Sequence, residues 1–198
     1  MKNLIIVIII NLLMVGCQKD KVGSKEQNHD HSKGQSEKTE KPQKKTLSPH
    51  TETMLMIGDA HIHIDYSSPG VRGRIIFGGL VGYDDIWQAG AHNATWIETN
   101  KDLMINGKLL PKGKYGFFTI PSKKEWTVIF NKNWDQHGKD EYDEKEDVIR
   151  YKAIPIVSEE STEHLLYNIS KTNESEGVIS MSWERITINI PFKLNQGS

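Results

Sequence analysis

Cysteine is nearly missing from this chain. Cys17 is the only one in 198 residues. A disulfide framework is therefore excluded, and any folded domain must rely on its own apolar core. Positive charge is not in excess either. From residue 48 onward sixteen Lys and Arg face twenty-one Asp and Glu, a net charge of −5. That denies a nucleic acid the basic face it needs. One long hydrophobic tract exists, Leu4 to Val15, broken only by Asn11. It falls short of the roughly 20 residues of a membrane span. No amphipathic helical pattern stands out beyond residue 48. Also lacking are a G-x-S-x-G elbow, H-E-x-x-H, a P-loop and C-x-x-C. The usual motif-borne hydrolase, zinc-protease, nucleotide and redox chemistries are thus unsupported. A catalytic set spread over loops is recognised by geometry rather than motif. An unrecognised hydrolase therefore stays as the third reading.

What is present begins at the N-terminus. Met1-Lys2-Asn3 is a short basic region, Leu4 to Val15 an apolar one, and Met14-Val15-Gly16-Cys17 resembles a bacterial lipobox. Residues 1–16 read as a lipoprotein signal peptide to be removed. Cys17 would then carry a thioether-linked lipid and an N-acyl chain such as palmitate. Two or more chains hold a protein firmly on a bilayer, where one does not. The expected address is the cell envelope, with the membrane as partner through the lipid anchor. Gln18 follows Cys17 where the best-known inner-membrane retention signal has Asp. The expectation is the outer membrane, on its periplasmic face or at the surface.

Residues 17–47 read as lipidated cysteine plus tether. Positions 18–47 hold no aromatic residue and only Val22 and Leu47 as aliphatics. Such a segment buries too little surface to offset its ordering entropy. As a flexible coil its span is about 30 Å, enough to lift a domain off the headgroups. His29-Asp30-His31 within it is a solubilising tract or a weak metal site.

Residues 48–198 suit one domain. Ala60 to Tyr66 alternates, with Ile62, Ile64 and Tyr66 on one face and His61, His63 and Asp65 on the other. Tyr115 to Ile120 and Trp126 to Phe130, split by Pro121 to Lys124, read as a hairpin. Val148 to Val157 ends near Pro155, as a strand edge does. Glu163 to Ser170 is a further strand candidate or the start of a helical turn. Near the C-terminus Ile179, Met181 and Trp183 share one parity, then Ile186, Ile188, Ile190 and Phe192 the other. A switch of parity at Glu184-Arg185 implies a bulge or tight turn. Many short strands with frequent turns predict a mainly β fold, an antiparallel, jelly-roll-like β-sandwich.

The densest turn region is Tyr66 to Thr95, with six glycines and Pro69 among apolar residues that need a core. Arg72 and Arg74 would share a face if extended, and a guanidinium pair can clamp a carboxylate or phosphate. The alternative is that each arginine only orders the turn. Loops at one end of a sandwich commonly carry its ligand site. The candidate ligand-binding residues are Tyr66, Arg72, Arg74, Trp87, His92, Asn93, Asn131 and Lys132, with Trp134, Gln136 and His137 nearby in sequence. Aromatic faces beside amide and guanidinium donors suit a sugar, a peptide or a small carboxylate.

A divalent metal is the other option. His61 and His63 would project from one strand face about 6.6 Å apart along the chain. Such a pair can share Zn²⁺ or Cu²⁺, with His50 or His92 completing the shell. The alternative is a solvated stripe continued by Asp59 and Asp65. The acidic block Asp140 to Asp147 lacks the ligand spacing and glycine of an EF-hand loop and reads as a solvated loop.

Several strings together carry a resemblance. They are Ser48-Pro49-His50, YSSPGVRGRIIFGGLV, Trp87 with GAHNAT, DLMINGKLLPKGKYGFFTIP and WTVIFNKN. Over Ser48 to Phe192 the chain resembles a bacterial envelope family known only as a domain of unknown function. The resemblance implies a β-rich exported domain and brings no activity. Members show Arg-Thr-Gly-Ala-Asn-Glu-Ala-Thr after the tryptophan, where this chain has Gln88 to Thr95. Gln88 in place of that arginine argues against an obligatory anion clamp there. The leading expectation is an envelope-tethered domain that binds a small molecule, glycan or envelope protein without catalysis. A histidine-based metal module is second.

Overall fold

The computed structural model describes residues 46–195. Cys17, the signal peptide, His29 to His31 and nearly all of the tether lie outside the described residues. Ten strands appear in order: β1 (His50–Ile57), β2 (Ala60–Ser67), β3 (Trp96–Thr99), β4 (Leu103–Ile105), β5 (Lys108–Leu110), β6 (Gly113–Ile120), β7 (Trp126–Asn131), β8 (Asp147–Ala153), β9 (Ile156–Asn173) and β10 (Glu176–Leu194). One short 3₁₀ turn, Glu144–Glu146, precedes β8. The strands form two antiparallel sheets, β1-β2-β3-β6-β7-β8 and β5-β4-β10-β9. The expected β-sandwich is the architecture of the described residues.

Alternation builds the core. β2 buries Ile62, Ile64 and Tyr66 and half-exposes His61, His63 and Asp65, as the period-two pattern requires. Ile97, Phe117, Val128 and Phe130 add to this side. Tyr167, Ile179, Met181, Trp183, Ile188, Ile190 and Phe192 supply the other. Each fully buried side chain of this size contributes about 1.5–3 kcal/mol of transfer free energy. β7 is buried on both faces. Its outer face, with Phe118 of β6, is covered by Ala94, Ile86 and Tyr142 from loops.

The parity switch in β10 has a definite cause: the strand doubles back at Glu184-Arg185. Ser182 Oγ meets Thr187 Oγ1 at 2.9 Å, and Ser180 Oγ donates to Asn189 Oδ1 at 2.9 Å. The Leu194 N–H donates to the Ser175 carbonyl at 2.7 Å, and a Cβ on Gly177 would sit 2.7 Å from Phe192 Cζ. All four pairs keep one antiparallel register around a two-residue turn. Glu184 takes φ +54° there, as hairpin turns with a left-handed first residue demand. The pairing of β10 with β9 shifts at the same place. Arg185 holds the arch of β9 over this tip, donating to the Ser158 and Glu159 carbonyls at 3.0 and 2.8 Å.

β1 was absent from the strands expected. As an edge strand paired only with β2, it leaves Met54 and Met56 half exposed, so its apolar residues do not mark one buried face. Glu163 to Ser170 is strand throughout, within β9, so the helical alternative there does not hold. Pro155 falls in the break between β8 and β9.

Candidate functional site

The long β2–β3 connection is packed rather than loose. It begins stitched to β9: Ser68 Oγ donates to the Leu165 carbonyl at 2.7 Å, and the Val71 N–H to the Glu163 carbonyl at 2.7 Å. Ile76, Phe77 and Val81 then enter the core. Phe77 meets Trp126 edge-on, with centroids 4.7 Å apart. Trp87 pairs with β6 through both backbone bonds to Thr119, at 2.8 and 2.9 Å.

The next residues form a second clasp. Thr95 Oγ1 and Tyr167 Oη both donate to the Ala89 carbonyl, at 2.9 and 2.8 Å. The Ala94 N–H donates to the Gln136 carbonyl and the Gly138 N–H to the His92 carbonyl. Loop 88–95 is thereby tied to the core on one side and to loop 132–143 on the other. Within it Ala89 and His92 have φ of +52° and +62°. Non-glycine residues in this region cost on the order of 1 kcal/mol each and persist where surrounding bonds hold them. Such strain concentrates at functional sites.

Two concavities flank this loop, and His92 lines both. The larger, about 370 Å³, has Trp87 and Trp183 in its lining, with Leu80, Val81 and Ile86 as apolar walls. Gln88, His92, Asp85 and Lys139 supply its polar groups. The two indoles stack with centroids 5.6 Å apart. Trp87 Nε1 donates to the Gly90 carbonyl at 3.1 Å. Trp183 is 1 % exposed, yet its Nε1 finds no partner among the described residues. A buried donor left unmade costs about 1–3 kcal/mol. Lys139 Nζ lies 2.9 Å from Asp85 Oδ2, and this bond holds the Asp85 carboxyl below the usual carboxylate range.

The smaller groove, about 160 Å³, is lined by His50, Asp65, Tyr66, Asn93, Trp96, Trp134 and Asp135, among others. His50 Nε2 meets Asp65 Oδ2 at 2.8 Å. Tyr66 is buried and accepts the Tyr167 N–H at 3.2 Å. Thus Trp87 and His92 line one concavity, and Tyr66, His92 and Asn93 the other.

The other candidates do not join them. Arg72 has φ +51°, and Gly73 follows at +67°, so the segment is not extended and the two guanidiniums do not form a clamp. Arg74 donates to the Val71 and Gly70 carbonyls of its own turn, at 3.1 and 2.5 Å. Arg72 donates to the Leu47 carbonyl. Asn131 is buried and bonds Asp147 Oδ1 and the Asp143 carbonyl, both at 2.8 Å, bracing the 3₁₀ turn. Lys132 reaches Glu146 at 3.8 Å in the same region. The Asp147 carboxyl, raised by burial, also accepts from Tyr142, whose phenol is pushed up chiefly by burial.

His61 and His63 do project from one face, their rings 6.1 Å apart. His63 Nε2 is engaged by Glu52 at 2.9 Å, and His92 lies on the loop beyond. Among the described residues no group of three or more His, Cys, Asp or Glu is arranged to hold a metal ion. Asp140 faces His137 at 3.3 Å, while Asp143 caps the 3₁₀ turn.

Sequence reasoning passed over Trp183, Trp96, Lys114 and Lys139. Trp183 reads as core because it continues the Ile179, Met181 face. The Lys139–Asp85 pair closes over 54 positions, which no local spacing reveals.

Searches of curated proteins and of solved structures each returned no match to this chain. A family profile does match, over residues 48–192, which takes in the whole loop constellation around Trp87 and His92. The chain belongs to that family, described as a protein of unknown function, DUF2911.

Proposed function

We propose that this protein is a lipid-anchored envelope module that binds a small ligand without catalysis, in the cleft lined by Trp87 and Trp183. The observation behind this is that Trp183 belongs to the cleft lining and has a buried N–H without a partner among the described residues. A ligand oxygen accepting from it would satisfy a donor that the protein leaves unmade. The stacked indoles and aliphatic walls favour an apolar body, and a carboxylate could share Lys139 with Asp85 and accept from His92. A small apolar carboxylate fits this mix of surfaces. Support for the anchor is the Met1 to Cys17 pattern. The tether gives the domain its reach from the membrane.

The anchor is tested by Cys17→Ala. The variant should move from the membrane fraction to the soluble fraction of fractionated cells. Retention in the membrane would contradict it. The ligand is tested by titrating benzoate and hexanoate while following the indole resonances. The expected result is a saturable shift of the Trp183 signal.

A further inference from the structure

We propose that the outer groove is a second binding site, one that takes an organic cation such as a quaternary ammonium or a methylated amine. Two indoles wall it. Trp96 stands on the outer face of β3 and Trp134 on the loop after β7, their centroids 6.3 Å apart and their planes 67° from parallel. They already hold an alkylammonium, because Lys114 of β6 places its Nζ 3.4 Å from the Trp96 centroid and 3.7 Å from that of Trp134. Both distances are within the range of cation–π attraction.

The pairing is built into the backbone. Trp96 lies opposite Gly116 in the β3–β6 register. A Cβ at Gly116 would come within 3.0 Å of the Asn133 carbonyl oxygen and 3.2 Å of Trp134 Cα. Glycine there lets the Trp134 loop settle onto β6, beside Trp96.

The same two rings line the groove with Asp65, Asp135 and Tyr66, and no Lys or Arg lines it. His50 and His92 line it too, and His50 already pairs with Asp65; Asp135 and the two indole faces remain to repel an anion and attract a cation. Indoles are poor metal ligands, so the fitting cation is organic and bulky rather than a bare ion. Lys114 is then the internal competitor: its ammonium fills part of the cage and repels a second positive group. This site is separate from the Trp87–Trp183 cleft and does not depend on it.

The test titrates choline chloride and tetramethylammonium chloride into the protein at constant ionic strength, with sodium chloride as control. Indole resonances of all five tryptophans are followed. The expected result is a saturable shift of the Trp96 and Trp134 signals only. Lys114→Met, which keeps an unbranched stem but removes the charge, should bind about tenfold tighter, between the scales of an exposed and a desolvated cation–π contact. Trp134→Ala should lose binding. Asp135→Asn, at an exposed position, should weaken binding with an unchanged melting temperature, which guards against a misfolded Trp134 variant. No shift in either the wild type or Lys114→Met would overturn the proposal. So would weaker binding in Lys114→Met, or a neutral oligosaccharide that shifts both indoles where the cations do not.

Discussion

Trp87 and Trp183 stack with their ring planes 22° from parallel, and among the described residues only Trp87 of the two has a partner for its indole N–H. One half of the pair is a finished piece of core. The other half keeps a buried indole donor without a partner among the described residues. The asymmetry suggests a comparison with a second unpartnered group.

Thr119 is that group. Its Oγ1 is buried without a hydrogen-bond partner, although its backbone pairs with Trp87. Valine has nearly the same shape and removes the unpaired hydroxyl. Thr119→Val should stabilise the domain by about 1 kcal/mol, since an unmade buried group carries a desolvation penalty. In a domain this size that raises the melting temperature by roughly 2–4 °C. A fall on thermal denaturation would mean that water or ligand satisfies the hydroxyl.

The doubled β10 predicts a pair of opposite effects at Glu184. Left-handed backbone at φ +54° suits glycine and penalises a β-branched side chain. Glu184→Gly should be neutral to stabilising by up to about 1 kcal/mol, and Glu184→Val should destabilise by at least that much. Urea midpoints compare the two. Equal midpoints would argue against the tight turn.

Asp147 sets a pH dependence. Burial raises its folded pKa above its unfolded value, despite the bonds from Asn131 and Tyr142. Stability from the protonated form is therefore fully present below the unfolded pKa of about 3.9 and declines as pH rises through the folded value. Exposed acids such as Asp85 are lowered and act in the opposite sense. The prediction is accordingly a difference. Between pH 3.5 and 7, wild type should lose stability relative to Asp147→Asn as pH increases. A constant offset between the two melting curves would contradict it.

Much of the fold was legible because alternation is a strong local signal. Ile62, Ile64 and Tyr66 faced inward as their spacing required, and the parity switch at Glu184-Arg185 proved to be a hairpin turn. Asn106-Gly107, between β4 and β5 with φ of +49° and +74°, is a strong hairpin signal present in the sequence itself. The candidate site was legible only in part. His92 and Asn93 line concavities beside the glycine-rich loop. Arg72 and Arg74 form no clamp, because their shared face assumed an extended chain and the turn at Gly73 breaks it. Trp183, Lys139 and Lys114 gain their roles from contacts distant in sequence.

The central claim is that the Trp87–Trp183 cleft holds a small apolar carboxylate through the Trp183 N–H. The most direct measurement is the ¹H–¹⁵N spectrum of the five indoles during titration with benzoate and hexanoate. The account predicts a saturable downfield shift of the Trp183 signal, weakened in Lys139→Ala. An unmoved Trp183 signal, with shifts elsewhere or none, would contradict it.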